Sequence, residues 1–241
     1  MFRSRKQTRG GSQTHLYVQT RDATAGMLIA NNDQPLDAAQ RQAEEVRLDN
    51  LAHNPAELRR KQRQERDDAD RITRIVRALP DAFVYTYDGS EAGTAGIGYT
   101  GDNLVRLKFR PNPNYDPPSR VEQVLTGMQG ILLIDASQHR IAKIDGTLYK
   151  DVSFGWGFFG HLDKGGRFQV EQAQVADDAW EVVHMGLNFT GKILLFKSLV
   201  INSSEVFSAF QKVPSLSFSE GVALLKRQEA ALVGDLHEEK K

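Results

Sequence analysis

Residues 103–110 (NLVRLKFR) alternate, with Val105, Leu107 and Phe109 on one side and Arg106 and Lys108 on the other. That period of two marks a strand with one dry face. Phe168, Val170 and Gln172 against Arg167, Gln169 and Glu171 repeat the pattern. Apolar runs of strand length predict further strands near 15–19, 24–30, 82–87, 129–136, 139–151, 180–189 and 192–207. Several of these are separated by turns of only a few residues: Ser137-Gln138, Lys164-Gly165-Gly166, Ala176–Ala179 and Thr190-Gly191. Connections this short join antiparallel neighbours, because a parallel pair needs a crossover of about a dozen residues. The pattern therefore predicts a meander. Its inward side is expected to carry Val105, Leu107, Phe109, Ile131, Leu133, Phe168, Val170, Leu187, Phe189, Leu194 and Phe196. Residues 89–101, with five glycines, read as a loop or loose hairpin.

Other stretches carry helix signals. Asp37 with Gln40 three residues on is a capping-box pattern opening a helix over 38–52. Asn54-Pro55-Ala56-Glu57 opens a second, with Asn at the cap and Pro at the first helical position. That helix is expected to reach about Ala78. Its middle, RRKQRQERDDADR, is polar all round, as in a solvated or bridging helix. Ile72, Ile75, Val76 and Leu79 form a stripe at its end, the part expected to dock. Ser119 with Glu122 caps a short helix carrying Val121, Val124, Leu125 and Met128, and Ser217 with Glu220 caps a last helix ending near Gly234. The fold class follows as α+β: a curved antiparallel half-barrel of about seven to nine strands, with covering helices and a long charged helical insertion at 37–78. The expected division is a disordered basic tail over 1–14, one sheet domain over 15–213, and a helix and tail over 214–241.

Charge and composition change this picture in three places. The 241 residues contain 31 bases, 31 acids and no cysteine. Disulfides, thiolate nucleophiles and cysteine-held metals are thereby excluded. The zero net charge is uneven, since residues 1–21 hold five bases and no acid. No apolar stretch follows that basic start, so a signal peptide is not expected there. Taken literally the chain stays in the cytoplasm; a start codon placed too far downstream would hide a leader. The helix at 57–74 nearly balances its charges, which leaves little phosphate-neutralising power, and nucleic acid is not expected as a partner. No run of about 18 apolar residues is present, so no transmembrane segment is expected.

Chemistry-bearing patterns are few. Residues 152–166 interleave Phe154, Trp156, Phe158 and Phe159 with Gly155, Gly157 and Gly160. This is either an adaptable apolar binding lip or a bend in the sheet with aromatic plugs. Its G-x-G-x-x-G spacing lacks the following amphipathic helix that dinucleotide binding needs. No histidine pair has metal-ligand spacing, and no G-x-S-x-G is present. Neither a metal nor a cofactor is expected. Only His161, near Asp163, and His184, on the strand with Trp180 and Val182, invite inspection; an enzyme would need a convergent polar cluster around one of them.

RALPDAFVYTYDG (77–89), NLVRLKFRPNPNYDPPSR (103–120), IDGTLYKDVSFGWGFFGHLDKGGRFQVEQ (144–172) and GKILLFKS (191–198) resemble a group of uncharacterised bacterial proteins with secretory leaders. At fold level the chain resembles, more distantly, the outer-membrane lipoprotein carrier LolA and RseB-type sensor domains. The resemblance implies a periplasmic half-barrel whose helices lie over an acyl-chain cavity. The expected function is a non-enzymatic envelope binding protein for a lipid or a lipoprotein acyl chain. Its expected lining is Leu107, Phe109, Leu133, Phe154, Trp156, Phe158, Phe159, Phe168, Val170, Phe189 and Phe196. The alternative is an envelope scaffold that docks a protein partner through helix 55–78.

Overall fold

The computed structural model describes residues 1–154, 160–177, 179–193 and 197–238. In chain order the elements are β1 (Phe2–Thr8), β2 (Gly11–Gln19), β3 (Thr24–Asn31), β4 (Gln34–Pro35), α1 (Ala38–Ala52), α2 (Pro55–Ala82), β5 (Phe83–Ala92), β6 (Asn103–Pro111), α3 (Arg120–Gln123), a 3-10 turn (Val124–Gly127), β7 (Met128–Asp135), β8 (Arg140–Leu148), β9 (Val152–Phe154), β10 (Gly160–Leu162), β11 (Arg167–Ala176), β12 (Ala179–Ile193), β13 (Lys197–Ser208) and α4 (Phe218–Glu238). The class is α+β with a large, open antiparallel sheet, as expected. The strands among the described residues number thirteen rather than seven to nine. The excess is β1, β4, β9 and β10, which are short or too polar to announce themselves by hydrophobic alternation. The chain divides into two compact units, 1–69 with 207–241, and 70–206, where one sheet domain was expected.

In the first unit the strand order is β4-β3-β2-β1, all antiparallel. Its basic start corrects the expectation of a disordered tail. Thr8 pairs with Gly11 across a two-residue Arg9-Gly10 turn, and Gly11 sits at φ 121°, where a side chain is strained. Arg5 then forks onto both carboxylate oxygens of Asp33 at 2.7 Å. The strand is held by its turn and its backbone ladder, which a count of apolar residues does not register. On one side of these strands Leu16, Val18, Ala25 and Met27 are buried together with Leu48 of α1 and Phe218, Val222 and Leu225 of α4. The capping residues read from the sequence are in place. Asp37 accepts from the Gln40 amide at 2.8 Å while Gln40 returns a bond at 3.0 Å. Asn54 accepts from the Ala56 and Glu57 amides, and Glu220 accepts from the Ser217 amide at 2.7 Å. Lys226 of α4 binds Asp49 of α1.

Glu229 of α4 is buried, with Arg41 4.0 Å away. Burial pushes its carboxyl above the ordinary range, Arg41 pulls it down and Glu45 pushes it up, with a net rise. A folded-state pKa above the unfolded one means the fold penalises the charged form, so stability is lost as pH rises through the folded value. Glu229→Gln should therefore raise stability at neutral pH by about 0.5–1 kcal/mol. In thermal melts over a pH series, the gap from wild type should close once the pH falls below the unfolded carboxyl value. A gap independent of pH contradicts this account.

The second unit runs β13-β12-β11-β8-β7-β6-β5, with the β9–β10 pair attached through β10 to β12. Leu79 and Ala82 of α2, Phe83, Phe109, Leu125, Met128, Leu132, Leu148, Val152 and Phe189 form its main buried cluster. The expected docking stripe of α2 splits. Ile75 and Leu79 pack on this cluster, whereas Ile72 is 63% and Val76 47% exposed. Residues 72/76 and 75/79 lie on lines about 60° apart around a helix of 3.6 residues per turn, and one line faces the core. The helix also continues through Pro80, past the expected end at Ala78. The Tyr85 hydroxyl donates to the Leu79 carbonyl in the last turn, and burial pushes that phenol up to about 12. Thr190-Gly191 is not a turn. β12 runs on to Ile193, and Gly191 lies so close to β10 that a Cβ there would meet the His161 carbonyl oxygen at 2.1 Å.

Candidate functional site

Strand register in the second unit sorts the candidate lining onto faces. One cross-strand row reads Leu107, Leu132, Ile144, Val170, Met185, Glu205. The next reads Phe109, Gly130, Gly146, Phe168, Leu187, Ser203. Phe189 stands opposite Ile201 beyond them on the same face. At the β5–β8 end this face is sealed: Phe109, Leu132 and Leu148 are buried under the end of α2, Phe83 and the 3-10 turn. Across β11, β12 and β13, among the described residues, the burial is only partial, and Phe168, Leu187 and Ile201 pack against the main cluster. Val170 and Met185 are likewise only partly buried there. Among the described residues this face is a shallow apolar trough only in the sense of its burial, complete at the β5–β8 end and partial across β11, β12 and β13, where Glu205 and Ser203 join it.

The expected lining divides accordingly. Phe109 and Phe189 are buried in the main cluster, and Leu107, Phe154 and Phe168 pack against it. Val170 is on the same face, half-buried. Leu133 is not. It pairs with Arg106 and belongs to a separate cluster with Leu104 and Ala142 on the opposite face, and Ile131 packs there too. The cause is parity: 128–135 is apolar on both faces, so alternation does not show which of Leu132 and Leu133 points where. Trp156, Phe158, Phe159, Leu194 and Phe196 lie outside the described residues. The Gly/aromatic segment is therefore described only at its flanks, where Phe154 pairs with Gly160 in a short hairpin.

Beside the Leu104–Leu133–Ala142 cluster, the opposite face of the same strands carries ion pairs. Arg167 forks onto Asp145, with contacts of 3.0 and 2.6 Å, and Arg106 bridges Asp88 and Glu91. Asp135, fully buried, accepts from the amides of Tyr99, Ser137 and Gln138 and from the Ser137 hydroxyl. Burial pushes its carboxyl up and these bonds pull it down, with a net fall. With three backbone donors satisfied, its role is to hold the loops around it.

Of the two histidines singled out, His161 lies 3.1 Å from Asp163 through Nε2. His184 is better connected. Its Nε2 lies 3.1 Å from Ser204 Oγ and its Nδ1 3.5 Å from Glu171 Oε2. Glu171 also receives Lys143 at 2.8 Å and Gln169 at 2.9 Å. Burial raises the Glu171 carboxyl, but the Lys143 and Gln169 bonds, with the nearby charges, bring it below its ordinary value. The polar cluster that the sequence does not display is thus assembled across strands β8, β11, β12 and β13. Ser204, the residue missed, stands among several serines in 198–208 that give no local signal.

Among the described residues no group of three or more His, Asp or Glu side chains could hold a metal ion, and no helix is long and apolar enough to cross a membrane. No family model, curated protein or solved structure matches the chain.

Proposed function

We propose that this chain is an envelope binding protein that takes an acyl chain, from a lipid or a lipoprotein, onto the apolar face of its antiparallel sheet, as a LolA-like half-barrel would. The observation that carries the reading is the trough: Phe168, Val170, Met185, Leu187 and Ile201 share one face and stay partly exposed, while the same face is sealed at the β5–β8 end. Half-buried apolar side chains sharing one face offer an acyl chain area against which to bury its methylenes. Binding here is burial without chemistry, at roughly 0.8 kcal/mol per methylene. Lysophospholipids of increasing chain length, titrated by calorimetry, should therefore tighten about fourfold per added methylene until the trough is filled. Affinity independent of chain length overturns the reading.

One observation favours a second reading, a scaffold that docks an envelope protein through α2. Ile72 and Val76, four residues apart on that helix, are exposed among charged neighbours.

A further inference from the structure

The cluster around His184 places a carboxylate, an imidazole and a hydroxyl in a row. Glu171, His184 and Ser204 come from three adjacent strands, β11, β12 and β13, with His184 opposite Glu171 in the register. An ionised carboxylate only accepts hydrogen bonds, so the imidazole nitrogen facing it, Nδ1, is the one that carries hydrogen. In the neutral ring Nε2 is then bare, and it is the nitrogen 3.1 Å from the Ser204 hydroxyl. The Nδ1–Glu171 contact, at 3.5 Å, is long, as such contacts often are before substrate is bound. Lys143 and Gln169 fix the carboxylate from the other side.

Beside the serine the face is open. Ser204 stands opposite Gly186, and a Cβ added at Gly186 would meet nothing nearer than His184 Cε1 at 3.6 Å and Gln169 Cβ at 3.7 Å. The missing side chain leaves a notch one residue wide next to Ser204 Oγ. Asn188 and Asn202 form the next pair along the same face, and their side-chain amides are donors of the kind that hold an oxyanion.

We propose that Ser204, His184 and Glu171 form an acyl-transfer site that hydrolyses small, unhindered esters. Ser204 is the nucleophile, His184 the general base, and Glu171 a positioning residue that holds the imidazole. Ser204 Oγ bonds to the ester carbonyl carbon as its proton passes to His184 Nε2. The carbon–alkoxy bond then breaks, and the leaving oxygen takes that proton from His184. Water attacks the acyl-serine, gives a proton to His184, and Ser204 recovers it as the acid departs. The sum is ester plus water to acid plus alcohol. The site lies on the face opposite the apolar trough and does not depend on acyl-chain binding there.

The test uses the full chain with a fluorophosphonate and p-nitrophenyl acetate as probes. Peptide mass spectrometry should find the phosphonyl group on Ser204. Ser204→Ala should abolish labelling and hydrolysis, and His184→Gln should slow both by about a hundredfold or more. Glu171→Gln should lower kcat by about tenfold with KM unchanged, a split that general loosening of the sheet does not produce. Gly186→Val, which leaves all three residues in place, should block hydrolysis by filling the notch, with the melting temperature reporting that the fold survives. A folded wild-type protein unlabelled at Ser204, or a His184→Gln variant labelled at the wild-type rate, overturns the proposal.

Discussion

Gly130→Val should unfold the second unit at a temperature roughly 10 °C below wild type, an effect of about 3 kcal/mol. Gly130 lies in β7 opposite Phe109 on one side and Gly146 on the other. A Cβ at this position would stand 1.9 Å from the backbone oxygen of Asp145 and 2.9 Å from the Gly146 Cα. Both contacts are with backbone, so no side-chain rotation relieves them and the β7–β8 pair must part. Valine adds two further carbons under Phe109. The control is Gly186→Ala, whose added carbon meets only ordinary van der Waals contacts at 3.6 and 3.7 Å. Thermal melts followed by circular dichroism check the pair. Equal melting temperatures for the two variants contradict the packing described for β7 and β8.

The parts of the fold legible in the sequence are those where a local rule has no competitor. Asp37 with Gln40, Asn54 before Pro55, and Ser217 with Glu220 each place a helix start by side-chain chemistry alone, and each makes its bond in the structure. Alternation at 103–110 and 167–171 put Leu107, Phe109, Phe168 and Val170 on one face, where the register has them. The rule failed where two signals overlap. Met128–Asp135 is apolar on both faces, so Leu133 was assigned to the wrong one. Thr190-Gly191 reads as a turn because glycine usually breaks a strand, yet here Gly191 makes room for the β10 backbone. Phe2–Thr8 reads as a tail because its polar and charged side chains hide a ladder made entirely of backbone.

The candidate sites differ in the same way. The shared apolar face was legible in outline, since it depends on period two and on apolar residues repeating across strands. The Glu171–His184–Ser204 cluster was not. Its members are 13 and 20 positions apart, and their meeting depends on pairing register and on the irregularity between Glu171 and Gln172 that shifts β11 against β12. Sequence reasoning marks His184 and asks for a convergent polar cluster, but gives Glu171 only a place on the polar side of its strand and does not single out Ser204.

Acyl-chain binding is the central claim, and the second large effect is its loss when the trough is charged. Leu187 stands on the trough side of β12, between Phe168 and Ser203. An aspartate there removes apolar contact and would need its charge desolvated against the chain. Val200 of β13 faces the other way and is already 48% exposed, so a charge there costs the trough nothing. The direct measurement is the affinity of purified protein for a fluorescent palmitate analogue, compared between Leu187→Asp and Val200→Asp at matched folding. The account predicts binding by wild type and Val200→Asp alike, with Leu187→Asp weaker by about thirtyfold or more. No binding by wild type, or equal weakening by the two substitutions, would contradict it.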